Sequence, residues 1–133
     1  METIRKINNE LVIAGQVSPE ELWQIAREGV KSVCNLRSPE EQGFLNNEQQ
    51  QVEALGLNYV NIPVKPEAIN DAITIQVLIQ IDQLPKPVLV HCDSALRAAE
   101  MVLMYIATRQ GKTLEEAFKR AKKLGMFEVL APQ

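Results

Sequence analysis

Histidine and cysteine are scarce in this chain, with one histidine and two cysteines among 133 residues. No CxxC or HxxxH spacing is present, and a zinc site needs about four close ligands, so no metal site is expected; no cofactor is assigned either. An excess of basic charge is missing as well. Fourteen Lys and Arg face 17 Asp and Glu, for a net charge of −3. General nucleic-acid binding needs a basic stripe and is therefore not expected, whereas an anionic small substrate in a local pocket stays open. Long hydrophobic runs are absent too. The longest, Ala98 to Ala107, is interrupted by Glu100 and is too short to span a bilayer. The first residues, Met1 to Lys6, lack the apolar stretch of a signal peptide. A cytoplasmic protein with no membrane partner is the expectation, its cysteines thiols first. Internal repeats, low-complexity tracts and Gly/Ser linkers are lacking, so residues 1–133 read as one domain, long enough to bury a core without staples.

Strand and helix signals alternate along the chain. Leu11 to Ala14 reads as a short strand ended by Gly15. Ser18-Pro19-Glu20-Glu21 has the grammar of a helix start, with Ser18 as cap, Pro19 in the first turn and Glu21 at the capping-box position. Lys31 to Leu36 is a second strand. Ser38-Pro39-Glu40-Glu41 repeats the helix-start grammar, and a polar helix follows from Asn46 to Leu55, closed by Gly56. A third strand runs from Leu57 to Val64. Asp71 is assigned as the cap of a helix to about Gln83, with Ile75, Leu78, Ile79 and Asp82 on its partly amphipathic face. Val88-Leu89-Val90 is an apolar strand, followed by a helix from Arg97 to about Gln110 and another opened by Thr113-Leu114-Glu115-Glu116. Phe127, Val129 and Leu130 are assigned to covering the core or to an oligomer contact, and the oligomeric state is left open. The fold class is α/β, a mostly parallel central sheet flanked by helices. Such sheets bind ligands at the carboxyl ends of their strands.

Residues 91–97 lie at such an end. A cysteine between a buried strand and a helix start meets converging backbone N–H groups, which favour a thiolate and can cradle an oxyanion. Cys92 occupies that position, Asp93, Ser94, Ala95 and Leu96 supply the anion-binding loop, and Arg97 offers a planar fork for two oxygens. This set of groups suits displacement at phosphorus or sulfur, or capture of a sulfur atom.

The stretch resembles the signatures of cysteine-dependent phosphatases and of rhodanese sulfurtransferases. With Ala14 to Glu20, Val33 to Arg37 and Tyr59 to Val64 added, nearly the whole chain resembles the bacterial beta-lactamase-hydrolase-like phosphatase family. The resemblance implies a cysteine-phosphatase-like (phosphotyrosine phosphatase II-like) fold and a phosphorylated protein or small anionic substrate. It makes Cys92 the nucleophile, Arg97 the anion clamp and His91 a supporting residue that orients the loop. Asp71 and Glu67 are the carboxyls available as general acid, because Lys65 stands at the family-like position.

Four features depart from that pattern. Arginine follows cysteine by five positions where the phosphatase signature has six, a length found in rhodaneses. Asp93 sets a carboxylate beside the anion site, opposing a charge ~4 Å away by roughly 1–4 kcal/mol. Ala95 stands where the family has glycine and is strained if a positive φ is required. Ala98 replaces the usual Ser or Thr, for which Ser94 is a partial substitute. Three functions are therefore carried forward: phosphomonoester hydrolysis through a cysteinyl-phosphate, sulfur transfer through a Cys92 persulfide, and a catalytically weak or inactive anion-binding module. Arg37 either assists an anionic substrate or is an exposed surface arginine. Cys34 reads as core, with a disulfide to Cys92 as an alternative.

Overall fold

The computed structural model describes residues 4–65 and 69–123. Glu67, Phe127, Val129 and Leu130 lie outside those residues. Five strands form one sheet: β1 (Arg5–Lys6), β2 (Leu11–Ala14), β3 (Ser32–Asn35), β4 (Asn58–Asn61) and β5 (Val88–His91). Their spatial order is β1-β2-β5-β3-β4, with every pair parallel except the short antiparallel edge β1–β2. β5 is central because its Val88-Leu89-Val90 run can be buried on both faces, as parallel sheets require.

The helices are α1 (Pro19–Arg27), α2 (Glu48–Ala54), α3 (Asp71–Gln83), α4 (Leu96–Arg109) and α5 (Leu114–Lys123). Two apolar clusters show which helix covers which face. Cys34, Leu36, Val88, Val90 and Cys92 pack with Val77 and Ile81 of α3 and Met101 and Tyr105 of α4. Val33 and Leu89 pack on the other side with Leu22 and Ile25 of α1 and Val52 of α2. No helix among the described residues is long and apolar enough to cross a membrane.

α1 and α5 begin as expected. Ser18 Oγ accepts from Glu21 N at 3.1 Å while Glu21 accepts from Ser18 N at 2.8 Å. Thr113 and Glu116 form the same reciprocal pair. Three expectations need correction. No helix forms at Ser38-Pro39-Glu40-Glu41, which is a turn followed by Gly43 at φ +88°. Glu41 N donates to the Ser38 carbonyl, the buried Ser38 hydroxyl has no partner among the described residues, and the Glu41 carboxylate is drawn to two arginines. Asp71 is not the cap of α3. Asn70 takes that place, its side chain accepting from Ile73 N at 2.9 Å. The buried face of α3 carries Thr74, Val77 and Ile81, which leaves Ile75 and Ile79 about half exposed. That face is turned by one residue, about 100°, from the one expected.

Candidate active site

Register brings three loops together at one edge. Ala14 and Asn35 both pair with His91, and Asn61 pairs with Asn35, so the strands end level with one another. Gln16, Arg37 and Cys92 therefore leave the sheet side by side. Asn61 holds the exit of β3 by donating from Nδ2 to the Asn35 and Arg37 carbonyls, both at 2.8 Å. Cys92 N donates to the Ala14 carbonyl and Gln16 N to the Asp93 carbonyl.

The two-residue period of a strand separates the roles of adjacent residues. Cys92 follows Val88 and Val90 onto the α3–α4 face, and its side chain is fully buried. His91 follows Leu89 toward α2, where its Nε2 lies 2.6 Å from Glu48 Oε2. Cys34 is opposite Val90, two positions short of Cys92 along the sheet. Neighbouring strands about 4.8 Å apart and an offset of two residues put such Cα atoms about 8 Å apart, beyond disulfide reach, and both cysteines are free. The disulfide alternative is thereby corrected. Burial pushes the Cys34 thiol up to about 12, which removes it as a nucleophile at neutral pH.

The loop turns through Ala95, whose φ of +75° is left-handed. Asp93 and Ser94 are exposed on the loop, and Leu96 is half-buried at the first position of α4. Ala95 makes no side-chain cap hydrogen bond, so the first N–H groups of α4 lack a side-chain acceptor at that position. Alanine is both strained at positive φ and a poor cap. Ala95→Gly is therefore expected to stabilise the protein by about 1 kcal/mol, read as a higher midpoint in urea unfolding.

Arg97 is only 5% exposed. Its Nη1 donates to Glu41 Oε2 and to the Val64 carbonyl, both at 2.7 Å, and its Nη2 donates to Glu41 Oε1 at 2.9 Å and Asp93 Oδ1 at 3.1 Å. Four of the five N–H donors of the guanidinium are thus occupied. Arg37 is likewise buried, not an exposed surface arginine. It donates to Glu41 Oε1, Gln16 Oε1 and the carbonyls of Gln42 and Gly43. Glu41 lies between the two cations. The hydrogen bonds from Arg97 hold its carboxyl at about 2 against the opposing effect of burial, with help from Ser38 N–H and Arg37. It is ionised at neutral pH and cannot donate a proton there.

Arg37, Glu41, Gln42, Asp93 and Arg97 line one open depression. Asp71 lines a different cavity with Thr74, Met104 and Leu114, so the structure does not bring it to Arg97. Lys65 is exposed and pairs with Glu40 at 3.6 Å. Among the described residues, no group of three or more His, Cys, Asp or Glu is placed to hold a metal ion. Glu41, Glu48 and Gln16 were not assigned site roles from the sequence. Glu41 had a signal in the Ser38–Glu41 spacing, although that spacing reads as a helix cap. Glu48 had none, being 43 residues from His91.

Known structures share this arrangement of sheet and helices. A phosphatase candidate of Shewanella putrefaciens CN-32 superposes with a TM-score of 0.77 at 22% identity, over 89% of this chain and 76% of that one. One from Neisseria meningitidis Z2491 does so with 0.73 at 25% identity, over 92% and 88%. A variant of P. aeruginosa TpbA in complex with pTyr gives 0.71 at 17% identity, over 93% and 74%. The fold is that of the protein tyrosine phosphatase-like proteins. In sequence, the chain is 37% identical over 95 residues to a beta-lactamase hydrolase-like protein of Xylella fastidiosa strain Temecula1. The match covers 69% of this chain and spans 22% of that relative's length. Since the profile of the phosphatase-like domain of beta-lactamase hydrolase-like proteins also matches residues 3–109, the chain belongs to that family.

Proposed function

We propose that the protein hydrolyses phosphomonoesters through Cys92. The observation that carries this reading is the placement of Cys92 at the carboxyl end of β5 with Arg97 in the first turn of α4, inside a phosphatase-like family domain. In the proposed step, the Cys92 thiolate forms a bond to phosphorus as the ester P–O bond breaks. The departing oxygen takes a proton from a carboxylic acid, and the attacking water later returns one to that carboxylate. Water then attacks the cysteinyl-phosphate and releases inorganic phosphate and the thiolate. Loop amides stabilise the transferring phosphoryl oxygens, together with Arg97 once the phosphoryl group displaces Asp93 from Nη2. The complex of TpbA with pTyr supports a small anionic phosphoester as the ligand class. Glu67 is carried forward as a candidate proton donor. Asp71 is less suited, since it lines another cavity.

Turnover of a general aryl phosphate, measured beside Cys92→Ser, tests the reading. Activity lost in the serine variant is expected. Activity unchanged by the substitution, or none in the wild type, contradicts it.

A second reading, a catalytically weak or inactive anion-binding module, is favoured by one observation: Glu41 and Asp93 already occupy the guanidinium fork of Arg97. Asp93 decides between the two. Its side chain is 53% exposed, so its repulsion of a bound phosphate is heavily screened. Asp93→Ala frees one Nη2 donor and removes that charge. An increase in kcat/KM of about fivefold, corresponding to about 1 kcal/mol, is expected. An Asp93→Ala variant that binds phosphate without turnover supports the non-catalytic reading. The sulfur-transfer reading rests on loop length alone. It requires added sulfur on Cys92 after thiosulfate treatment, seen by mass spectrometry.

A further inference from the structure

Glu48 is fully buried although it opens a short helix of largely polar sequence, Glu-Gln-Gln-Gln-Val-Glu-Ala. A buried carboxylate is costly unless both oxygens find partners, and both do. Oε2 lies 2.6 Å from His91 Nε2, and Oε1 accepts from Gln16 Nε2 at 2.9 Å. Val52 supplies the buried apolar contact of α2, so packing alone does not call for a carboxylate at position 48.

The two arms of Glu48 lead to the two halves of the candidate site. The first runs through His91, the residue before Cys92, whose Nδ1 lies 3.5 Å from the Cys92 carbonyl. The second runs through Gln16. Its backbone N–H donates to the Asp93 carbonyl, and its Oε1 accepts from Arg37 Nη1 at 2.8 Å. Arg37 then meets Glu41, and Glu41 holds Arg97. A single carboxylate thereby connects the strand that delivers the cysteine with the arginine pair at the mouth.

We propose that Glu48 is a positioning residue that fixes His91, and through Gln16 the arginine pair, so that the Cys92–Arg97 loop keeps its reactive geometry. This rests on the reading of Cys92 as nucleophile. With the proton on Nε2, Glu48 Oε2 accepts it and sets the plane of the ring, whose Nδ1 edge then packs against the Cys92 carbonyl at 3.5 Å. Gln16 transmits the second constraint without carrying charge. Misplacement of reacting groups by about 1 Å costs about 100-fold in rate, so the effect belongs in kcat more than in KM.

The test uses the full chain and its single histidine, which makes imidazole NMR a report on His91 alone. In the wild type, a proton on His91 Nε2 in slow exchange with water is expected. In Glu48→Gln, with the amide spectrum otherwise preserved, that signal is expected to be lost or to move upfield. The kcat for an aryl phosphate is expected to fall about 10- to 100-fold with little change in KM. A folded Glu48→Gln variant with wild-type kcat overturns the proposal. If the wild type shows no Cys92-dependent turnover, the hydrolase reading fails on its own. The positioning role is then read from Cys92 alkylation by iodoacetamide, and a rate equal in wild type and Glu48→Gln overturns it. Should Glu48→Gln fail to fold, Gln16→Leu carries the test. It cuts only the arginine arm, so the His91 signal is expected to stay and kcat to fall, and an unchanged kcat overturns the proposal.

Discussion

Replacing Arg97 with lysine is expected to lower turnover of an aryl phosphate by about 100-fold or more, the usual consequence of removing a preorganised donor at a developing charge. Lysine keeps the positive charge but not the fork. It cannot pair both oxygens of Glu41 while also reaching the Val64 carbonyl and Asp93, as Arg97 does. The variant is also expected to lose about 2 kcal/mol of stability, because partners of a buried guanidinium are left unmatched. The activity assay and urea unfolding of the same preparation separate the two effects. Turnover near the wild-type value in a destabilised variant would reduce Arg97 to a strut between α4, the segment after β4 and the Arg37–Gly43 turn.

Substitution of Glu41 by glutamine is the second large effect. The carboxyl of Glu41 sits at about 2 in the folded protein against an ordinary value of 4.5, chiefly because Arg97 donates to it. A carboxyl lowered by folding stabilises the protein fully above its unfolded value, and that stabilisation is lost as pH falls through the folded value. The gap corresponds to about 3 kcal/mol, and partial exposure of the side chain trims it to about 2. Glu41→Gln is therefore expected to unfold more easily at neutral pH. The difference from wild type should shrink as pH drops from about 4.5 toward 2. Urea midpoints measured for both proteins from neutral pH down to about 3 give the comparison. A stability gap independent of pH would show that Glu41 acts through packing and not through its charge.

Local features of the fold were legible because their causes are local. Ser18, Pro19 and Glu21 cap α1 within four residues of one another, and Leu11 to Ala14 has the same bounds in the structure as in the sequence reading. The α3 start failed by one position because Asn70 and Asp71 are both good caps. The difference is backbone geometry, since Asn70 has the extended conformation a cap needs. The two-residue edge β1 was missed because so short a strand carries no periodicity of its own.

The candidate site divides in the same way. The placement of Cys92 and Arg97 at the junction of β5 and α4 was legible because strand, loop and helix follow one another in the chain. Ala95 was expected to be strained only if the loop requires a positive φ there, and its φ is +75°. Glu41 was not legible as a partner of Arg97, because it is 56 residues away and its spacing from Ser38 imitates a helix cap. The pairing of His91 with Glu48 depends on sheet register and on which face α2 covers, and neither is written in either segment alone.

The central claim is that Cys92 carries the phosphoryl group. Rapid acid quench of the wild type during turnover of an aryl phosphate, followed by peptide mass spectrometry, tests it most directly. One phosphoryl group on the Cys92 peptide, absent from Cys92→Ser, is the expected result. Turnover without that adduct, or an adduct on another residue, would contradict it.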